Sequence, residues 1–138
     1  MTAYNETCAA ISMVYLFERM FLLHGESKYI DCMERTLYNG VISGMSMDGG
    51  RFFYPNPLSS DGKYKFNADG NTTRQPWFGC ACCPSNLCRF IPSVPGYLYG
   101  VKDNNIYVNL FAGNTSTIKV NGKDVVLEET TEYPWNGD

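Results

Sequence analysis

Three thiols crowd into four positions at Cys80, Cys82 and Cys83, within the segment Gly79-Cys80-Ala81-Cys82-Cys83-Pro84-Ser85-Asn86. Cysteines that only fill a core rarely cluster this tightly. Proline favours the first helical position, so Pro84 predicts a short helix, with Cys82 and Cys83 beside its unpaired N–H groups and positive dipole end. A free thiol ionises near about 8.5, and such a terminus or a metal lowers that value, turning the side chain into a nucleophile or a ligand.

A second pair, Glu6 and Cys8, lies at the start of another predicted helix. One carboxylate and three thiolates, Glu6, Cys8, Cys82 and Cys83, form a possible tetrahedral zinc set. Their spacing is unlike the paired Cys-x-x-Cys knuckles of ordinary structural zinc sites. Spacing alone therefore leaves a second reading open, in which Glu6 only favours the helix dipole and Cys8 packs as a small core residue.

These residues need elements to position them. From Glu6 to Leu23 the apolar residues recur every three to four positions, as in Ala9/Ala10, Met13/Val14, Leu16/Phe17 and Met20/Phe21, which predicts a core helix. Gly25 suits a helix stop and Ser27 an N-cap. Ile30, Met33, Leu37, Val41 and Met45 continue the periodicity, giving an antiparallel helical hairpin. Asp48-Gly49-Gly50 breaks it, and Arg51 to Tyr54 reads as a strand stopped by Pro55-Asn56-Pro57. Leu58 to Pro76 is a long polar stretch of the kind that serves as a lid or interaction loop or is disordered. A short helix from about Pro84 to Ile91 ends at Pro92 and Pro95. Beyond Gly96 the period becomes two, predicting a β-meander with turns at Asp103-Asn104-Asn105 and Asn121-Gly122. The fold class expected is α+β, as a helical part over residues 1–95 and a β part over residues 96–138.

Composition narrows the function. The 138 residues are 44% hydrophobic and 14% aromatic, enough for one ordinary core, and the net charge of −3 offers no basic stripe for nucleic acid. No apolar run reaches about 20 residues, so no membrane span is expected. The six cysteines are expected to be reduced rather than paired, which favours a reducing cytoplasm. His24 and the helical methionines Met13, Met20, Met33, Met45 and Met47 are expected to be structural, and Glu128, Glu129 and Glu132 a solvated strand edge. Trp77 and Phe78 suit either sugar stacking or packing.

Four ordered motifs, Thr2-Ala3-Tyr4-Asn5-Glu6-Thr7-Cys8-Ala9, Glu34-Arg35-Thr36-Leu37-Tyr38-Asn39, Phe52-Phe53-Tyr54-Pro55-Asn56-Pro57-Leu58 and Trp77 to Asn86, closely resemble the β-L-arabinofuranosidases of glycoside hydrolase family 127. The resemblance continues through Tyr97-Leu98-Tyr99 and Tyr133-Pro134-Trp135. It implies that this chain is an internal slice of a longer hydrolase: a helical hairpin from an (α/α)6-barrel catalytic domain, followed by strands that open a β-sandwich. It implies zinc held by Glu6, Cys8, Cys82 and Cys83, with Cys82 as the nucleophile of a retaining reaction on β-L-arabinofuranosides or related glycans. Tyr54 matches a tyrosine of the family's active site that contacts nucleophile or sugar, and reads equally as an ordinary strand aromatic.

The family's acid/base glutamate corresponds to a position before Met1, so the 138-residue chain alone is expected to be inactive. Glu18, Glu26 and Glu34 read as solvent-facing or packing carboxylates. Two alternatives remain: a non-catalytic, metal-stapled binding or structural module, and a thiol redox protein using Cys80, Cys82 and Cys83. An uncovered helical face would favour self-association or packing with the rest of a longer protein.

Overall fold

The computed structural model describes residues 4–137; Thr2 and Ala3 of the first motif lie outside the described residues. The chain divides into two compact units, Met1–Pro92 and Ser93–Asp138.

The first unit is built on three helices: α1 (Thr7–His24), α2 (Ser27–Thr36) and α3 (Cys82–Phe90). Ala10, Ile11, Val14 and Phe21 of α1 meet Met33 of α2 and Leu87 and Phe90 of α3 in the core. Fully burying a side chain such as Leu87 or Phe90 contributes about 1.5–3 kcal/mol. α1 ends at Gly25, whose left-handed backbone returns its N–H to the Phe21 carbonyl. Ser27 begins α2 rather than capping it, because Glu26 occupies the cap position. By length and composition α1 is long and apolar enough to cross a membrane, contrary to the reading of its sequence. Here its buried stripe is a core face, and Glu18 and Arg19 interrupt the apolar run.

The second helix does not continue regularly to Met45. It widens into a π turn at Leu37–Val41 and tightens into a 3-10 turn at Ile42–Gly44. The reason is a close approach to α1, since a Cβ at Gly40 would lie 2.9 Å from the Ala10 Cβ. The side chain of Asn56 supports the irregular turn, donating to Ser43 Oγ at 2.8 Å and to the Gly40 carbonyl at 3.4 Å. An inserted polar partner is a usual cause of such departures.

Residues 51–54 are not a strand. Phe52 forms single bridges with Met45 and Gln75, and Pro55 forms one with Glu6. The long stretch after Leu58 folds back along this segment, with reciprocal backbone hydrogen bonds of 2.8 Å between Phe52 and Gln75. Phe53 packs edge-on to Phe66, and the Arg74 guanidinium lies 4.4 Å from the Phe53 ring. The methionines divide: Met33 is fully buried, while Met13 and Met47 are exposed and fill no core.

The second unit contains two antiparallel hairpins rather than a continuous meander. β1 (Tyr99–Lys102) pairs with β2 (Asn105–Val108), and β3 (Asn114–Val120) with β4 (Lys123–Glu129). Beyond Val108 the Leu98 carbonyl still takes the in-register Asn109 N–H at 2.8 Å and also meets the Leu110 N–H at 3.5 Å, so the pairing closes on one shared acceptor. Asn121 and Gly122, at φ 49° and 76°, make the tight turn of the second hairpin. Glu129 is not a solvated edge residue: it is half-buried and accepts a 3.0 Å hydrogen bond from the Tyr99 hydroxyl.

Candidate active site

Two helix starts and one irregular segment of the first unit converge. At the first start, the Thr7 N–H is taken by the Tyr54 carbonyl at 3.0 Å, and the buried Thr7 hydroxyl donates to the Phe53 carbonyl at 3.0 Å. Glu6 occupies the N-cap position without making a side-chain cap hydrogen bond. Its carboxylate is therefore available to the thiols. Cys8 follows on the first turn of α1.

At the second start, α3 begins at Cys82, two residues earlier than Pro84 alone predicts, and Ala81 at the cap has no capping side chain. Pro84 takes the third helical position, where its missing N–H still falls among those that no helical carbonyl reaches. Cys82 and Cys83 thus occupy the first two helical positions, next to unpaired N–H groups. Cys83 is fully buried and Cys82 half-buried.

The four groups Glu6, Cys8, Cys82 and Cys83 offer ligand atoms that all lie within 4.8 Å of one another. Cys8 Sγ is 3.4 Å from Cys83 Sγ, and Cys83 Sγ is 3.9 Å from Cys82 Sγ. Glu6 Oε1 stands 3.9 Å from Cys82 Sγ and 3.8 Å from Cys83 Sγ. A tetrahedral zinc with metal–sulfur bonds near 2.3 Å separates its sulfurs by about 3.8 Å. The donor set and its edges fit such an ion. Tyr54 adds a fifth group, its hydroxyl 2.9 Å from Cys82 Sγ. It donates when the sulfur is a thiolate and accepts when it is a thiol.

Electrostatics separate the sulfurs. Burial pushes the Cys83 thiol well above its ordinary value, reinforced by the Cys8 thiol. Burial likewise raises Cys8, against hydrogen bonds from Cys83 and Asn86. Burial also opposes ionisation of Cys82, yet hydrogen bonds from Tyr54, Cys8, Cys83 and Cys80 outweigh it and bring Cys82 below the ordinary thiol value. The same hydrogen bond with Cys82, then burial and the Glu6 charge, raises the Tyr54 phenol far above its usual range. Among these sulfurs Cys82 is the one favoured as an anion, with the proton retained on Tyr54.

The residues singled out from the sequence therefore come together, and Cys80 joins them as an exposed thiol within hydrogen-bonding reach of Cys82 and Tyr54. Cys32 and Cys88 are exposed, and all six cysteines are free. His24 packs near the Tyr29 ring, and Glu26 pairs with Lys28 on the surface. Trp77 is exposed, whereas Phe78 is buried with its ring edge-on to Tyr54 at 5.7 Å.

Several contributors escaped the sequence reading. Asn86 supports Cys8 from α3, and Tyr4, raised first by burial and then by the Glu6 charge, hydrogen-bonds to that carboxylate. Asn56 receives a 2.9 Å hydrogen bond from the Asn5 side chain at its carbonyl, while its own N–H donates to the Asn5 carbonyl at 2.6 Å. Asn67 accepts from the Tyr54 N–H at 2.8 Å. Polar residues in loops carry no periodicity that would announce such roles, although Asn56 lay between two prolines in a motif already singled out.

Comparison with known proteins gives the site a context. Residues 1–96 match the family described as beta-L-arabinofuranosidase, GH127 catalytic domain. The chain is 35% identical over 141 residues to a non-reducing end beta-L-arabinofuranosidase of Bifidobacterium longum subsp. longum, covering 99% of this chain and 21% of that protein. A solved GH127 beta-arabinofuranosidase matches with a TM-score of 0.88 and 62% identity, over 98% of this chain and 20% of its own. The GH127 beta-L-arabinofuranosidase of Geobacillus stearothermophilus T6 matches with a TM-score of 0.88 and 45% identity, over 99% of this chain and 22% of its own. The chain thus spans about a fifth of the length of these relatives.

Proposed function

Because the chain belongs to the GH127 β-L-arabinofuranosidase family through its catalytic domain, we propose that it is the cysteine-bearing segment of a retaining glycoside hydrolase. Its substrates are β-L-arabinofuranosides or related glycans, and Cys82 is the nucleophile. The observation that carries this reading is the convergence of Glu6, Cys8, Cys82 and Cys83 beside the Tyr54 hydroxyl. On the same reading the helices belong to an (α/α)6 barrel, and the hairpins after Ser93 open a β-sandwich.

Glu6, Cys8, Cys82 and Cys83 would hold zinc, which when bound supplies a positive charge that keeps the sulfurs deprotonated and oriented. The chain's own groups account for the rest. The Cys82 sulfur attacks the anomeric carbon as the glycosidic bond breaks, and a thioglycosyl link to Cys82 forms. Tyr54 donates to the sulfur while it is an anion and must release that contact as the carbon–sulfur bond forms. The acid that protonates the leaving oxygen, and then activates water to release the sugar with retained configuration, comes from outside this chain. Glu6 is directed at the sulfurs and is not free to serve as that acid.

Cobalt titration of the 138-residue protein tests the metal half of this reading, because thiolate-to-cobalt charge-transfer bands report bound cysteines directly. Bands that appear at one equivalent in the wild type and fail in Cys8→Ser support the four-ligand set. Wild-type protein that takes up no metal contradicts it. Hydrolysis of an aryl β-L-arabinofuranoside by the 138-residue chain would contradict the requirement for an outside acid.

A further inference from the structure

We propose that Asn67 is the positioning residue for the Tyr54 hydroxyl, so that the long stretch after Leu58 serves as a brace for the reacting sulfur. The functional meaning rests on Cys82 as the nucleophile; the geometry does not. Tyr54 belongs to no helix or strand, and hydrogen bonds to its backbone must hold its phenol 2.9 Å from Cys82 Sγ. Its carbonyl is held by the Thr7 N–H at 3.0 Å. Its N–H is held by Asn67 Oδ1 at 2.8 Å.

Asn67 is only 3% exposed and uses its whole amide. Besides Tyr54, Oδ1 accepts from the Ala68 N–H at 3.0 Å, while Nδ2 donates to the Thr73 carbonyl at 2.9 Å and the Phe52 carbonyl at 3.5 Å. The side chain therefore ties both ends of one loop turn to both ends of the Phe52–Tyr54 segment. A carboxylate could keep the acceptor toward Tyr54 but not the donor, and an alanine keeps neither. The Tyr54 ring packs edge-on to the buried Phe78, so the ring cannot swing freely to compensate for a displaced backbone. A shift of one ångström is enough to lose the phenol–sulfur contact.

The test is the rate at which iodoacetamide alkylates Cys82 at fixed pH, read by peptide mass mapping on the 138-residue protein as purified, with metal content measured in each sample. Exposed Cys32 serves as the internal reference. Tyr54→Phe removes the phenol and sets the benchmark, a change of roughly tenfold in the Cys82 rate, in whichever direction loss of the 2.9 Å phenol–sulfur contact drives it. Asn67→Ala is expected to match that factor in size and direction, and the double variant to add nothing further.

A merely structural Asn67 would lower the melting temperature and leave the Cys82 rate at its wild-type value, and that result overturns the proposal. Multiplying effects in the double variant overturn it as well. Should Asn67→Ala lose its helical circular dichroism, Asn67→Thr takes its place with the same outcomes. Undiminished turnover by Cys82→Ala in a GH127 protein of the relatives' length that carries this segment would sink the nucleophile reading alone, and a wild-type Cys82 rate in Asn67→Ala would sink the brace alone.

Discussion

Cys82 and Cys83 owe their positions to a helix, and Tyr54 owes its position to single hydrogen bonds from the Thr7 N–H and to Asn67. On the helix side, adjacent residues at the start of α3 emerge beside unpaired N–H groups, and a buried face of Cys83, Leu87 and Phe90 fixes the helix in the core. On the loop side no repeating geometry is available. Asn56 locks the backbone to Asn5, next to Glu6, while Asn67 takes the Tyr54 N–H. The helix-borne groups thus form the part of the site fitted to hold an ion. The loop-borne phenol adjusts the one sulfur that is favoured as an anion.

Breaking the helix-borne part is expected to have the largest effect. Cys83→Ala should reduce zinc affinity by at least about 100-fold, since it removes a ligand and not merely a supporting contact. A competition titration with a zinc indicator measures this. The affinity should also weaken as pH is lowered, because metal binding displaces thiol protons and burial has raised both Cys8 and Cys83. A raised thiol holds its proton to higher pH, so binding strengthens as pH rises and weakens as pH falls. The expected slope is roughly tenfold per pH unit for each proton released. The same titration at several pH values checks the sign.

Breaking the loop-borne part should cost stability before it costs metal. Asn56→Ala leaves the carbonyls of the π turn without their donor and should destabilise the protein by about 1–3 kcal/mol, as read in a thermal melt. Its zinc affinity should stay within a few-fold of wild type; a loss as large as that of Cys83→Ala would erase the contrast between the two parts. The smallest effect is expected at Met47, which is fully exposed. Met47→Lys should change stability by no more than about 0.5 kcal/mol, measured in the same melts.

The contrast also explains what could be read in advance. The three-to-four periodicity of Ala10, Val14, Phe21 and Met33 reveals the helices, because burying one face imposes that spacing. Adjacent thiols before Pro84 reveal a helix start with chemical potential, although the start itself lies at Cys82. Residue types alone offered Glu6 and Cys8 as partners of those thiols but left a packing reading open, and family resemblance favoured the link, since no local pattern relates residues so far apart. Phe52-Phe53-Tyr54 carries the β propensity of a strand, yet Asn67 and Gln75 satisfy its backbone from a loop that has no periodicity to read. In the second unit the turn at Asn121-Gly122 was legible, whereas the Leu98 carbonyl shared by Asn109 and Leu110, on which the first hairpin's pairing closes, carries no local signal.

We propose the Cys82 sulfur as the atom that bonds to sugar. This is tested by peptide mass mapping of a GH127 protein of the relatives' length that carries this segment, quenched in acid during turnover of an aryl β-L-arabinofuranoside with a good leaving group. A pentosyl adduct is expected on the peptide carrying Cys82, absent from Cys82→Ala. An adduct on any other residue, or undiminished turnover by Cys82→Ala, would contradict it.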